Sequence, residues 1–386
     1  MAAVRPSPTG AVLALAARLR AEGRDIISLG AGEPDFDTPQ HIKDAAVAAL
    51  AAGDTKYTPI DGTPALKAAV CRKFARDNGL EFSPSQVLVS SGGKQSLFNL
   101  CLAWLNPGDE AIVPSPYWVS YPDMVRVAGG TPVIVDTSMD RGFRLTAAQL
   151  DDAIGPKSRL LVLNSPSNPT GAAYTRAELK ALGDVVRAHP GLLVVADDMY
   201  EHIYWADEAF ASFASVNPDL AGRTVTCNGV SKAYAMTGWR IGYAAGPEPV
   251  IRAMATIQSQ STSNPCSISQ AAAAAALDGP QDCVAEMRQA YRERHDYIVP
   301  ALDALPGVQC RRGEGTFYAF PRVAEALAGL GLADDVTFAE HLLNTADVAV
   351  VPGSAFGAPG HIRISYACSM AELAEAVDRL KRALAA

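Results

Sequence analysis

The chain has 386 residues, of which 49% are hydrophobic and 19% charged, and its formal net charge is −8. This balance is typical of a globular protein with a sizeable core, and it argues against intrinsic disorder and against binding to nucleic acids. We predict no signal peptide and no membrane-spanning segment, since the first residues lack a cleavable apolar stretch and no apolar run is long enough to cross a bilayer.

Short β-rich runs alternate with helical patterns through the middle of the chain. Apolar residues at helical spacing predict helices at 96–105 and 176–187. Because strands that alternate with helices are typical of βαβ units, we expect an α/β fold with a mostly parallel sheet buried on both faces. The predicted strands cover residues 87–90, 111–113, 133–135, 160–163, 192–195 and 224–227.

The pattern changes after about residue 280. A long amphipathic helix at about 281–305 precedes a loop-rich region, a strand-like run at 361–367 and a terminal helix. This predicts a large domain over residues 41–280 and a smaller α+β domain over residues 281–386. Binding pockets favour the carboxyl edge of a parallel sheet and the cleft between domains, where the polar motifs of this chain are expected to lie.

The seven cysteines are an odd number, and they form neither CxxC pairs nor clusters with histidines. Disulfide-stabilised secreted domains usually have an even number of cysteines, and zinc sites usually have CxxC pairs or clusters of cysteine and histidine. The chain therefore resembles neither class. We therefore expect buried free thiols, no metal site and a cytoplasmic location.

The motif SKAYAMTGWR, residues 231–240, places a lysine just after a predicted strand and an arginine eight positions later. Lysine and arginine are seldom buried without a partner, and a cofactor with an aldehyde and a phosphate would supply partners for Lys232 and Arg240. On this motif alone, two surface cations on a loop explain the pattern equally well.

The motif SSGGKQ, residues 90–95, joins a predicted strand to a predicted helix. Gly92 and Gly93 would allow an anion to approach the backbone, and the start of the helix offers free N–H groups. A plain tight turn is the alternative. Neither GxGxxG nor GxxxxGK[ST] occurs here, which argues against a dinucleotide-binding fold and a P-loop.

Three further motifs follow predicted strands or interrupt an apolar run. In NSPSNPTG, Asn168 offers an amide to a ring oxygen or a carboxylate, or else caps a turn. In ADDMYEH, the aspartate pair needs compensation, from a protonated pyridinium or by capping a helix. In HIRISYA, Arg363 would bind a carboxylate with two parallel hydrogen bonds, or else form a structural ion pair.

Taken together, these motifs resemble those of the class I aminotransferases of fold type I, in particular the bacterial aspartate/prephenate aminotransferase branch. The resemblance covers nearly the whole chain and includes LGAGEPDFDTP, TKYTP, SSGGKQ, PSPYWVSYP, NSPSNPTG, DDMYEH, NGVSKAYAMTGWRIGY, GSAFG and HIRISYA. It implies a central sheet flanked by helices in the large domain. It also implies that residues 1–40 form an arm and part of the small domain, and that the enzyme is a homodimer with shared active sites.

The resemblance further implies pyridoxal 5′-phosphate as the cofactor. Lys232 would bind it as a Schiff base and act as the general base, while Asp197 would pair with its ring nitrogen. The other implied cofactor contacts are Tyr200 and Asn168 at the phenolic oxygen, Trp118 on the ring, Gly92, Gly93, Lys94, Ser231 and Arg240 around the phosphate, and Tyr57 from the partner subunit.

For the substrate, the resemblance implies that Gly32 and Arg363 bind the α-carboxylate, with Trp118 and Asn168 nearby. Lys94 and Thr9 would bind a distal carboxylate, which predicts transamination between aspartate and 2-oxoglutarate, with prephenate or glutamate as further substrates. An aminotransferase for aromatic amino acids or alanine, or a C–S lyase on the same fold, is the alternative. A cofactor-binding regulator and a nicotinamide dehydrogenase fit the motifs less well.

Overall fold

The computed structural model of the chain describes residues 8–385, with fourteen α-helices and twelve β-strands over that range. The helices are α1 (Pro8–Ala21), α2 (Gln40–Ala51), α3 (Pro64–Asn78), α4 (Gly93–Trp104), α5 (Tyr121–Val127), α6 (Ala147–Ala153), α7 (Arg176–Ala188), α8 (Phe213–Val216), α9 (Glu248–Ser259), α10 (Ser267–Asp278), α11 (Asp282–Asp303), α12 (Ala324–Gly329), α13 (Asp335–Thr345) and α14 (Met370–Leu384). The strands are β1 (Ile27–Ser28), β2 (Val87–Ser90), β3 (Glu110–Ser115), β4 (Thr131–Asp136), β5 (Ser158–Asn164), β6 (Leu193–Asp197), β7 (Thr224–Gly229), β8 (Gly242–Ala245), β9 (Tyr318–Ala319), β10 (Val348–Ala349), β11 (Val351–Pro352) and β12 (Ile362–Ser365).

Seven strands form the central sheet, in the order β2-β8-β7-β6-β5-β3-β4. All neighbouring pairs are parallel except those of β8, which runs antiparallel to both β2 and β7. The six predicted strands all appear, and the prediction of a mostly parallel α/β sheet is confirmed. The sequence did not predict β8, whose GYAA run carries little strand signal.

Helices cover both faces of this sheet, so its strands are apolar on both sides. At β2, Val87 and Val89 face α2, α3 and α10, whereas Leu88 faces α4 and α9. The alternation follows from the two-residue period of a strand. Two helical layers therefore hold the sheet, and its carboxyl edge is left to the connecting loops.

A second group of elements comes from both ends of the chain. Strands β11, β12 and β9 form an antiparallel sheet, and β1 pairs in parallel with β10, with Ile27 opposite Val348. Helices α11 and α14 share a core with these strands, in which Phe317, Phe338 and Ile364 are buried. The predicted long helix is α11, slightly shorter than expected.

Among residues 8–385 no helix combines the length and the apolar character needed to cross a bilayer. All seven cysteines are free, and Cys101, Cys227 and Cys310 are buried. The expectation that every thiol is buried is wrong, since Cys266 is exposed at the start of α10 and Cys71, Cys283 and Cys368 are half-buried.

Candidate active site

A cavity of about 490 Å³ lies where β5, β6 and β7 end, between the central sheet and β9 and β12. Parallel strands bring their carboxyl ends to one edge, and this edge is where side chains from distant motifs meet. The predicted site residues that line the cavity are Gly32, Gly93, Lys94, Trp118, Asn168, Asp197, Tyr200, Ser231, Lys232, Arg240 and Arg363.

Lys232 follows β7 and points into the cavity. Its Nζ donates a hydrogen bond to the carbonyl oxygen of Gly32, and lies 5.9 and 5.8 Å from the ring centres of Tyr200 and Phe317. Burial lowers the pKa of Lys232 to about 8, with the nearby guanidinium of Arg363 as a second cause. A lysine with a lowered pKa holds more free amine at neutral pH, which suits attack on an aldehyde.

Asp197 ends β6 and is buried. The Tyr121 hydroxyl donates to Oδ2 at 2.6 Å, and the backbone N–H of Met199 donates to Oδ1 at 3.2 Å. Burial raises the pKa of Asp197, and these two hydrogen bonds partly offset the increase. No basic side chain among the described residues donates a hydrogen bond to this carboxylate, so a cationic group of a ligand would be a fitting partner.

Arg363 is held on β12 with its guanidinium buried. Nη1 donates to Asn168 Oδ1 at 3.0 Å and Nη2 donates to the carbonyl oxygen of Gly30 at 2.8 Å. The guanidinium carbon lies 4.4 Å from the ring centre of Tyr318, whose hydroxyl is 2.9 Å from that of Tyr200. Nε has no acceptor among the described residues, and a buried donor in this state favours an incoming carboxylate.

The segment around Gly92 and the side chain of Arg240 lie against each other. Gly92 has φ +89°, and a Cβ there would lie 2.2 Å from Arg240 Nη2. Helix α4 begins at the next residue, so its free N–H groups and the guanidinium face the same space. Together they form a cradle suited to a phosphate.

Lys94 is the second residue of α4, and its Nζ lies 4.9 Å from the ring centre of Trp118. The pKa of Lys94 is lowered by partial desolvation in the cavity and by the charge of Arg240. Two cations, Lys94 and Arg363, are thus available in one cavity, and each can bind a carboxylate.

These residues fit pyridoxal phosphate. The cavity joins a lysine of lowered pKa, a buried carboxylate that no basic side chain of the described residues hydrogen-bonds, and an anion cradle, and these match the aldehyde, the ring nitrogen and the phosphate of that cofactor. Trp118 lines the same cavity and offers an aromatic face.

Some predicted site residues lie elsewhere. Tyr57 is 93% exposed and does not line the cavity. Gly92 does not line it either, but it lies against the guanidinium of Arg240, which does. The side chain of Thr9 lies outside the described residues.

Sequence reasoning missed several residues that line the cavity. Tyr121, three positions after Trp118 in PYWVSY, and Glu33 in GEPDF both lie in motifs that the family resemblance includes, although no local pattern assigns either of them a role. Tyr318 had none, because its place depends on packing against Arg363. The missed residues with polar side chains are Glu33, Tyr121, Asn164, Thr237 and Tyr318.

Residues 24–380 match the family model described as aminotransferase class I and II. The chain is 55% identical to the aspartate/prephenate aminotransferase of Nitrosomonas europaea, over 98% of this chain and 97% of that protein. It is also 55% identical to the enzyme of the same name from Cereibacter sphaeroides, over 99% and 96% of the two chains.

Solved structures give the same result. The crystal structure of the aspartate aminotransferase of Rhizobium meliloti has a TM-score of 0.95 and 49% identity, over 100% of this chain and 97% of that one. The aspartate aminotransferase of Thermus thermophilus with maleate has a TM-score of 0.93 and 47% identity, over 99% and 97% of the two chains.

Proposed function

Because the chain belongs to the class I and II aminotransferases, which depend on pyridoxal phosphate, we propose that it transfers the amino group of aspartate to 2-oxoglutarate. We propose prephenate and glutamate as further substrates. The single observation that carries the proposal is that Lys94 and Arg363 line one cavity, so a substrate with two carboxylates finds a cation for each. Two relatives that are 55% identical bear the name aspartate/prephenate aminotransferase, which supports the same choice.

The cofactor would be held by residues from several elements. Lys232 would bind its aldehyde, Asp197 would keep its ring nitrogen protonated, and Arg240 with the start of α4 would bind its phosphate. When bound, the cofactor supplies an electron sink for the negative charge that develops at the substrate Cα. The remaining proposed contacts are Trp118 on the ring, Asn168 and Tyr200 at the phenolic oxygen, and Ser231 and the partner's Tyr57 near the phosphate.

The substrate would be oriented by its two carboxylates. Arg363 would bind the α-carboxylate with two hydrogen bonds, beside Gly32 and Asn168. The Asn168 side chain already accepts a hydrogen bond from Arg363 through Oδ1, so its Nδ2 remains free to donate. Lys94, together with Thr9, would bind the distal carboxylate.

Lys232 would also move the proton that leaves the substrate Cα. A general base works best when its pKa lies near the working pH. Burial holds the pKa of Lys232 at about 8, so the free amine can accept this proton at near-neutral pH. Lys232 would then donate the proton to the cofactor's C4′.

We propose a cytoplasmic homodimer. Tyr57 is too exposed to serve its own cavity, which is the situation expected of a side chain that reaches a partner subunit. The seven free cysteines suit a reducing compartment. We further propose a domain division at residues 1–40, 41–280 and 281–386, which the pairing of β1 with β10 supports.

The variant Lys94→Ser tests the substrate. Losing a charged contact to the distal carboxylate costs about 1.5–3 kcal/mol, so the Michaelis constant for aspartate should rise roughly 10–100-fold. The constant for alanine, which lacks that carboxylate, should change little. Initial rates with 2-oxoglutarate as acceptor measure both.

Lys157→Ser, at an exposed lysine outside the cavity, is the matched control. A panel of aspartate, glutamate, phenylalanine and alanine against 2-oxoglutarate, oxaloacetate and prephenate completes the assay. An equal effect of Lys94→Ser on aspartate and alanine would refute the distal-carboxylate role, and preferred use of alanine or phenylalanine would favour the alternative specificities.

A further inference from the structure

Glu33 lies at the mouth of the cavity, and the proposed reaction gives it no role. Four cations line the cavity, namely Lys94, Lys232, Arg240 and Arg363. Among the described residues the lining contains two carboxylates, and one of them, Asp197, is engaged by Tyr121 and Met199. Glu33 is therefore the remaining negative charge of the lining.

Glu33 and its neighbour are connected to both ends of the segment 232–240. Glu33 Oε2 accepts a hydrogen bond from Thr237 Oγ1 at 3.0 Å, and the Thr237 carbonyl accepts one from Arg240 Nη1 at 3.0 Å. The carbonyl oxygen of Gly32 accepts from Lys232 Nζ. Two adjacent residues thus contact the segment, Gly32 through its backbone at the lysine and Glu33 through its side chain near the arginine.

The charges that face Lys232 come from several elements. Arg363 on β12 and Arg240 after the Thr237 turn disfavour its protonated form, and burial disfavours it most. Glu33 and, at the end of β6, Asp197 favour the protonated form. Tyr200 and Tyr318 face it as neutral phenols, since burial raises their pKa values. Without Glu33, two guanidinium groups would face one carboxylate.

We propose that Glu33 is a positioning residue that sets the basicity of Lys232 through its charge and steadies the turn at Thr237 that carries Arg240. This inference rests on the proposed role of Lys232. A more basic lysine is a stronger acceptor for the proton that leaves the substrate Cα. Because Glu33 is exposed at the cavity mouth, its influence is partly screened by water and falls as ionic strength rises.

The variant Glu33→Gln isolates the charge, since glutamine keeps the shape and can still accept from Thr237. In the holoenzyme, the pH midpoint of the cofactor absorbance should fall by roughly half a pH unit at low salt. In the apoenzyme, uptake of pyridoxal phosphate at pH 7 should be roughly twofold faster, because more of Lys232 is free amine. Both differences should shrink at about 1 M salt, where the Debye length is about 3 Å.

Two variants serve as controls. Asp37→Asn removes a carboxylate four residues along that does not line the cavity, and it should leave the midpoint unchanged. Thr237→Val removes the hydrogen bond to Glu33 but keeps the charge of Glu33. It should therefore weaken cofactor retention, while the pH midpoint of the cofactor absorbance stays close to that of the wild type.

An unchanged midpoint in Glu33→Gln, a shift that salt does not reduce, or an equal shift in Asp37→Asn would overturn the inference. Failure of the wild type to attach the cofactor covalently would instead overturn the proposed function. The two failures are therefore distinguishable.

Discussion

Lys232 is an ionisable cation in a desolvated position, a combination that folded proteins normally avoid. An unfolded chain would give this lysine its ordinary pKa of 10.5, whereas the folded apoenzyme holds it at about 8. Between these values the unfolded state binds more protons, so the free energy of unfolding rises with pH through that window. Below pH 8 the destabilising effect is present in full, about 3 kcal/mol.

The variant Lys232→Met should remove this effect. We expect the apoenzyme of the variant to be more stable than the wild type at pH 7 and to lose most of the difference by pH 10.5. Denaturant unfolding at several pH values measures the free energies. Lys157→Met, at an exposed lysine, should follow the wild type, and parallel pH profiles for wild type and Lys232→Met would contradict the burial of this charge.

Some site residues were predictable from motifs and others were not. In its own motif, each of Lys232, Asp197 and Arg363 had a structural alternative, and it was their occurrence together in one family pattern that predicted them as site residues. Tyr121 contacts Asp197 across 76 positions of chain, and nothing in PYWVSY indicates that contact. Contacts of this kind depend on how α5 packs on the sheet, which no local pattern encodes.

Strands buried on both faces were predictable because each is a continuous apolar run, as at β5 and β6. Strands β1, β9, β10 and β11 have two residues each, which is too short to show any period. The antiparallel β8 was not predicted, because its sequence GYAA contains few residues that favour a strand. The sheet was therefore predicted well, and the smaller strands that flank Arg363 were not.

The junction between β2 and α4 gives a prediction for Gly92. The variant Gly92→Ala would place a Cβ 2.2 Å from Arg240 Nη2 and would also strain a backbone at φ +89°. Because the guanidinium is the far end of a flexible side chain, it can move away, and the fold should persist. Losing the contact that we propose between Arg240 and the cofactor phosphate should raise the Kd for pyridoxal phosphate by roughly 10–100-fold.

Gly53→Ala is the matched control for this variant, since Gly53 has φ +79° and a Cβ added there would meet no atom within 4 Å. It carries the backbone strain without the collision. Titration of the apoenzyme with pyridoxal phosphate and thermal unfolding measure both variants. Equal cofactor affinities in the two would show that Gly92 acts through backbone strain alone.

The cavity is lined by residues from widely separated parts of the chain. Gly32 comes from the N-terminal part, Lys94 and Lys232 from the central sheet region, and Arg363 from β12. The α/β class followed from element order, but β1 pairs with β10 from the opposite end of the chain, and composition gave no sign of it. Only the family resemblance placed the N-terminal segment beside the C-terminal strands.

The charge of the whole molecule contrasts with that of its cavity. The chain carries a formal net charge of −8, yet four cations and two carboxylates line the cavity. A local positive field of this kind attracts small anions into the cavity, whereas the net negative charge of the whole chain disfavours polyanionic partners. This contrast fits a substrate with two carboxylates and a phosphorylated cofactor.

The residue that holds the cofactor can be identified chemically. Two lysines, Lys94 and Lys232, line the cavity, so the experiment must distinguish which of them binds the cofactor covalently. Borohydride reduction of the holoenzyme, followed by digestion and mass spectrometry, would fix the cofactor to the residue that holds it. We predict the added mass on Lys232 and on no other lysine; added mass on Lys94, or none at all, would contradict the assignment.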